Sequence, residues 1–591
     1  VGLIPQAPLV VEFTGDRAAE GPMTLGQRNI LQWLETTPDH RYGSLSWTLD
    51  VPPGTDLDAV AAAWRVLVTR HEGLRTRYLG GPDPRQRVRD RGELTIEVYA
   101  VGDEEPGGEP DPLEVAADLT RRLAAGPPVT GLDLPLPLRV AVATVAGRVL
   151  TGVVRYSHLA VDHQAMVVLG AEFARLVRRP GAPLPGPAPV QPLDQAAAEA
   201  DPRLIPRLDA ALRHWEQGLA RMPPFPYPAP GGATSGDAGA VQLWSPAAAL
   251  AVRHIAARTR VSGPSVVLAA ICAVLARRTG YPECRFPILS GNRFDPRLAT
   301  YVGTLVQATL LTVEVAGAGF DDLVRRCHAA MLNASRYGRY DAYRRADLAA
   351  RIRHDRGVLL SPEPIVNNLA VPVRPPRPGT EGGLTEVAAA TGRTRLRFEA
   401  SAGVVTPLGF EIWAVDRVLR LRALSGDLAR IGRAELEGLL AAVERLLVVA
   451  AGQELTEAEL GPATGLEPFQ GGPGWCRVDG WWVELAEVRR LVDAALAAGR
   501  SRVVVEDGRL VAYLAAGAGV ETPQQAHARC LAALPRHPTA MTPHRYVLCA
   551  GAPDDPTDPA GWRRLPVLAA ASGREGAATA GSEPPRRSVQ V

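Results

Sequence analysis

Lysine is missing from this chain: all 65 basic side chains are arginine. That excludes a Schiff-base lysine and the lysine of a phosphate-binding loop. Cysteine is sparse as well. Cys272, Cys284, Cys327, Cys476, Cys530 and Cys549 form no CxxC pair and no metal-ligand spacing, which reads as scattered buried thiols in a reducing compartment. No uncharged apolar run reaches the roughly 18 residues of a membrane span. The opening VGLIPQAPLVVEFTGDRAAEG has no basic segment leading into an apolar core, so it does not read as a signal peptide. Neither sign of charge dominates, and a net charge of +2 sets up no field for nucleic acid or an anionic membrane. The expectation is a soluble cytoplasmic protein with no metal, no nucleic acid and no membrane among its partners.

At 591 residues the chain is too long for one hydrophobic core, and its Gly/Pro-rich stretches show where it divides. Residues 102–112, 223–239, 373–383 and 452–474 read as loops, and 178–192 as a stiff extended linker, because so many fixed-φ prolines oppose a helix. Three ordered blocks remain, at 20–177, 203–451 and 474–569, with a Pro-rich linker at 178–202 and a disordered tail at 570–591. The first block mixes helical periodicity (57–74) with two strands joined by a glycine turn (139–159). The second holds an amphipathic helix at 206–222 and one apolar all round at 264–280, with strand-like runs at 285–293 and 302–315. Mixed elements with long crossovers predict an α/β or α+β fold of two lobes in tandem.

One segment carries chemistry: VVRYSHLAVDHQAMVVL, containing His158, Asp162 and His163. A β-branched strand runs into a polar turn and resumes as an apolar helix. His158 therefore sits at a strand end, on rigid support beside a cleft. A histidine there serves as a general base or is simply satisfied structurally, and the residues alone favour the second reading. Asp162 offers it a charged neighbour. The three also make a loose metal cluster, but nothing supplies further ligands at a recognised spacing.

The segment SHLAVDH resembles the HHxxxDG signature of condensation domains in nonribosomal peptide synthesis. Four further segments match in the family's order. MTLGQRNILQWLE (23–35) resembles its opening motif through Gln27, Arg28 and Trp33; RHEGLRTRY (70–78) resembles RHExLRTxF through Arg70, His71 and Arg75. HWEQGL (214–219) resembles the helix that starts the second lobe, and LSGNRFDPRLATYVGTLVQ (289–307) the arginine-bearing loop followed by VGxFVN. The resemblance implies two tandem chloramphenicol-acetyltransferase-like lobes in a V, with a tunnel between them. Phosphopantetheine arms of partner carrier proteins would enter from opposite ends, one with a donor thioester and one with the acceptor. No cofactor would be bound permanently. His158 would be the catalytic imidazole and Asp162 a structural group paired with Arg293. The motif residues Gln27, Arg28, Arg70, His71 and Arg75 would mainly shape the lobe.

The departures are specific. Ser157 replaces the first signature histidine, His163 the final glycine, and Gln307 the VGxFVN asparagine. An imidazole in place of a glycine narrows a channel, adds a titrating group, or marks a domain that no longer turns over.

The third block (474–569) resembles the small C-terminal subdomain of adenylating enzymes through Gly480, Glu484, Leu485 and Glu487. It is degenerate: those enzymes close with a lysine-bearing motif, and here AGWRRLP puts Trp562 near the lysine's place. No GGxSL-type attachment motif occurs, so arms would come on carrier proteins in trans. The resulting expectation is a stand-alone condensation enzyme joining a carrier-bound acyl or aminoacyl group to a small amine or alcohol. The alternatives are a catalytically degenerate scaffold that binds carrier proteins, or a CoA-dependent acyltransferase on the same fold.

Overall fold

A computed structural model describes residues 2–36, 43–102, 110–186, 189–228, 237–360, 363–370, 383–400, 406–472, 474–496, 500–517 and 520–574. Residues 103–109, 229–236 and 373–382 of the loops expected at 102–112, 223–239 and 373–383, and the tail from 575, lie outside these residues.

The first lobe contains strands β1 (Leu3–Pro5), β2 (Leu9–Thr14), β3 (Ala19–Pro22), β4 (Ser44–Leu49), β5 (Thr76–Leu79), β6 (Arg85–Val88), β7 (Arg91–Val101), β8 (Leu138–Val145) and β9 (Arg148–Ser157). Its helices are α1 (Leu25–Thr36), α2 (Leu57–Arg70), α3 (Pro112–Ala125) and α4 (His163–Arg178), followed by α5 (Pro192–Glu199). Six strands make a mixed sheet in the order β1-β7-β8-β9-β4, with β2 also on β7. Strands β8 and β9 turn at Ala146 and Gly147, both with positive φ, the backbone that a tight hairpin demands. Alternation along β8 sorts the layers. Val140 and Val142 face the core under α2 and α4, while the small Ala141 and Ala143 meet α3 on the other side.

The second lobe adds β10 (Gly239–Ser245), β11 (Glu283–Ser290), β12 (Gln307–Glu314), β13 (Ile365–Asn368), β14 (Arg395–Ala400), β15 (Gly409–Ala414) and β16 (Leu419–Ser425). They form one mixed sheet, β12-β11-β13-β15-β16-β10-β14. Its helices are α6 (Ile205–Arg221), α7 (Pro246–Thr259), α8 (Gly263–Thr279), α9 (Phe320–Ser335), α10 (Ala342–Arg356), α11 (Leu384–Ala390), α12 (Arg433–Gly452) and α13 (Glu457–Thr464). Helix α8 is apolar all round because it is buried all round, at the centre of the core it shares with α7, α9 and α12. Helices α6 and α10 cover the opposite face, around Trp215, Tyr340 and Leu310.

The third block comprises the hairpin β17 (Trp475–Val478) and β18 (Trp481–Glu484), then β19 (Ser501–Glu506), β20 (Arg509–Ala515), β21 (Arg545–Cys549) and β22 (Val567–Ala571) in one sheet. Helices α14 (Leu485–Leu496), α15 (Pro523–Ala533) and α16 (Pro559–Arg563) accompany them. Its core takes in Phe225 and Val358 from the second lobe. The Trp482 indole donates to the Thr279 carbonyl at 3.0 Å, so the block is seated on that lobe.

Several sequence expectations need correcting. The first sheet begins at Leu3 rather than near residue 20, because Leu9–Thr14 pairs antiparallel with Arg91–Ile96. The Pro-rich linker at 178–202 holds a helix beyond its extended part: Pro192 takes the first turn of α5, where its missing N–H costs nothing, and Gln191 with Asp194 forms a capping box. A second capping box, Thr456 with Glu459, starts α13 inside the expected loop 452–474. Strand β22 runs past 570, so the tail does not begin there. Among the described residues no single helix is long and apolar enough to cross a membrane; α7 and α8 pass together only as a bent pair, and both lie in the second core.

Candidate active site between the lobes

The site is built on the turn that joins β9 to α4. The His158 amide donates to the Gly43 carbonyl at 2.7 Å, one residue beyond the β4–β9 pairing. The amides of Ala160 and Val161 then fold back onto the Ser157 carbonyl at 3.0 and 3.2 Å. This tight turn brings the Val161 carbonyl to 2.9 Å from Nδ1 of His158. A carbonyl only accepts, so Nδ1 carries the proton and Nε2 presents a lone pair. Burial pushes the imidazole below its ordinary pKa, against the opposing pull of Asp162 and the Val161 carbonyl. The ring is therefore neutral near pH 7 and half-buried, with Trp33 of α1 edge-on at 6.4 Å. A neutral imidazole with one nitrogen anchored and the other basic is equipped to take a proton from a nucleophile.

Asp162 caps α4, its Oδ1 accepting the Ala165 amide at 3.0 Å. It also accepts both arms of Arg293, each at 2.7 Å, and the Leu305 amide at 3.0 Å. The two side chains are 4% and 7% exposed, so this is a buried ion pair joining the lobes. Arg293 donates further to the carbonyls of Gly303 and Gly291, at 3.0 and 3.2 Å. Asn292, held at positive φ, anchors the same loop through the Leu305 and Gly338 carbonyls. The carboxylate thus serves architecture, and its charge reaches His158 only through space.

Ser157 is 1% exposed and its hydroxyl accepts the Leu159 amide at 3.3 Å. His163 has partners of its own. Its Nε2 donates to the Leu369 carbonyl of the second lobe at 3.1 Å, between Trp47 and Trp413. His158, Asp162 and His163 accordingly reach three different partners and do not converge as metal ligands would. Gln307 is buried and bonded to both backbone groups of Tyr340.

The remaining motif residues hold the lobes. Gln27 is buried against Thr24 and Gln86. Arg28 pairs with Asp341, the N-cap of α10, at 3.3 Å and lies over Tyr343, a second bridge between lobes. His71 meets Glu172 at 2.6 Å, Arg70 lies 3.4 Å from the same carboxylate, and Arg75 donates to the Arg17 carbonyl. Gly26 allows the loop 302–305 to pass, since a Cβ there would collide with the Thr304 carbonyl. The sequence reading missed Trp47, Trp413 and Leu369. Only an exposed-looking tryptophan within SLSWTLD, on what proves to be an edge strand, hinted at the first.

Two mixed lobes are thus bridged by a buried arginine–aspartate pair beside a strand-end histidine. The Condensation domain family matches residues 18–370, and the chain belongs to that family. It is 29% identical over 348 residues to isonitrile lipopeptide synthase of Mycobacterium tuberculosis, a match covering 55% of this chain and 13% of that protein. Over 331 residues it is 25% identical to phosphinothricin tripeptide synthetase of Streptomyces viridochromogenes, covering 53% of this chain and 30% of the relative. It therefore spans less than a third of either curated relative. Its fold matches the first condensation domain of the CDA synthetase with a TM-score of 0.56 at 19% identity, over 75% of this chain and 98% of that one.

Proposed function

We propose that this protein joins a carrier-bound acyl or aminoacyl thioester to a small amine or alcohol, with His158 as the base. The observation that carries the reading is the Val161 carbonyl holding Nδ1–H, which leaves a neutral Nε2 at the junction of the lobes. In the reaction the acceptor nitrogen or oxygen attacks the thioester carbonyl while Nε2 takes its proton. The tetrahedral intermediate then breaks its C–S bond, and the proton passes to the departing pantetheine sulfur. Asp162 and Arg293 hold the β9–α4 turn against the second lobe so that the base does not drift. The arms belong to carrier proteins outside these residues, since no GGxSL-type attachment motif lies within them; the proposal takes them to act in trans.

The third block is proposed to be a degenerate relative of the adenylating subdomain that makes no acyl-adenylate. Trp562, near the place of the closing lysine, is fully buried, with its indole donating to the Pro556 carbonyl at 2.9 Å.

The test measures thiol release and product mass with acyl- and aminoacyl-loaded carrier protein, then with the same groups on CoA, across a panel of amines and alcohols. Wild type should turn over the carrier-bound groups, and His158→Ala should lose on the order of 10²- to 10⁴-fold. Equal rates in wild type and mutant would favour a scaffold. A preference for CoA thioesters would favour the CoA-dependent alternative.

A further inference from the structure

His163 crosses from one lobe to the other without an ion pair. Its ring lies 6.1 Å from the Trp47 indole, tilted by 60°, and 6.0 Å from Trp413, edge-on at 87°. All three side chains are half-buried.

Both tryptophans are set by backbone features. Trp413 falls where the β15–β16 register shifts between Ile412 and Ala414, and such irregularities re-aim a side chain. Its indole donates to Glu411 at 3.0 Å. The Leu369 amide is tied to the Ile412 carbonyl at 2.9 Å, so the carbonyl that receives His163 and the indole beside it belong to one strand pair. On the first lobe, Trp47 lies against Gly170, seven residues along α4 from His163 and on the same helical face. A Cβ on Gly170 would come within 2.8 Å of the Trp47 Nε1, so the glycine makes room for this indole. Two indoles, a backbone acceptor and a carboxylate next to one of them thus enclose a slot between the lobes, and the imidazole fills it. Burial pushes that imidazole below its ordinary pKa, so the occupant is a neutral heteroaromatic ring.

We propose that His163 determines substrate size: it occupies an aromatic slot between Trp47 and Trp413 that would otherwise accept a flat aromatic side chain of the acyl or acceptor group. The inference rests on reading the inter-lobe passage as the route to His158. With the ring present, groups entering here are small. With it removed, the slot offers two π faces and the Leu369 carbonyl to a planar group carrying an N–H, such as an indole or imidazole.

The experiment compares wild type with His163→Gly, using His163→Ser if glycine at the start of α4 lowers stability too far. Folding is checked by thermal melting. In the first arm, imidazole is titrated by calorimetry with tryptophan fluorescence alongside. The variant should bind it saturably in the millimolar range, and wild type should not. In the second arm, hydrolysis-resistant pantetheine amides bearing acetyl or indole-3-acetyl groups are titrated into both proteins. The variant should shift the ratio of dissociation constants at least tenfold towards the indolyl amide. A folded variant that takes up no imidazole, or an unchanged ratio, overturns the proposal while leaving the condensation reading intact. If neither protein binds either amide, the condensation reading fails and this inference falls with it.

Discussion

Asp162 and Arg293 meet through two parallel hydrogen bonds of 2.7 Å, one residue from each lobe, with both side chains almost wholly out of water. Removing one member leaves the other charged and buried, at a cost of about 3–5 kcal/mol. Asp162→Asn keeps the cap on α4 but strands Arg293; Arg293→Leu leaves the carboxylate with only the Leu305 and Ala165 amides. Each single variant should lose that much stability in urea denaturation, and the double variant should lose less than the sum. Because the pair bridges the lobes, the single variants should also unfold in two resolved steps. Additive losses in one cooperative step would contradict this account.

The pH dependence of turnover follows from the His158 environment. The proposed mechanism needs a neutral Nε2, and burial lowers this pKa. The rate should therefore hold at neutral pH and fall with a half-point below about 6.5, the ordinary value, approaching tenfold per pH unit. Asp162→Asn removes the charge that favours the imidazolium and should move the acid limb lower still. A limb above the ordinary histidine range would mean that a different group is the base.

Much of this site could be read from the chain, and the reason is local. VVRYSHLAVDHQAMVVL shows a strand ending, a polar turn and a helix with its aspartate cap, all within 17 residues. Helix α8 was legible because an element buried on every side is apolar on every side. The partner of Asp162 lies 131 positions away, and only the family resemblance of the NRFDP loop pointed to it. The slot around His163 left little local trace beyond His163 itself and the tryptophan of SLSWTLD. Trp47 and Trp413 come from opposite lobes, and a strand irregularity does not show in a hydrophobic pattern. Likewise PPFPYP has the composition of a loop, yet Phe225 is 2% exposed because another block covers it.

His527 predicts how the third block responds to acid. It is 1% exposed, donates to the His354 carbonyl at 3.2 Å, and faces His354, Tyr546, Arg574 and Asp355. Burial lowers its pKa to about 4, and the neighbouring Arg574 and His354 push the same way. A group depressed in the folded state takes up its proton more readily when unfolded, so its contribution is complete above about pH 6.5 and is lost progressively towards pH 4. The melting temperature should fall across that window. His527→Gln, which keeps a donor for the His354 carbonyl but does not titrate, should flatten the slope. An unchanged slope in the variant would assign it to other groups.

The seat of the third block on the second lobe makes a regional prediction. Phe225 enters the core of that block, and its own carbonyl accepts the Tyr281 hydroxyl at 3.0 Å, while the Trp482 amide donates to the same hydroxyl at 3.3 Å. Truncating a buried phenylalanine costs about 3–5 kcal/mol through lost contacts and an unfilled cavity. In Phe225→Ala the loss falls on the junction, since neither lobe's own central core contains this ring. Hydrogen exchange should therefore speed up first in β19–β22 and α15, with β8, β9 and α8 still protected. Turnover should persist if the block only rests on the lobe. If activity collapses while exchange at β9 and α4 is unchanged, the block takes part in the reaction, for instance by seating a carrier protein. Uniformly faster exchange across all three cores would instead show that the chain unfolds as one unit and that the junction has no separate stability.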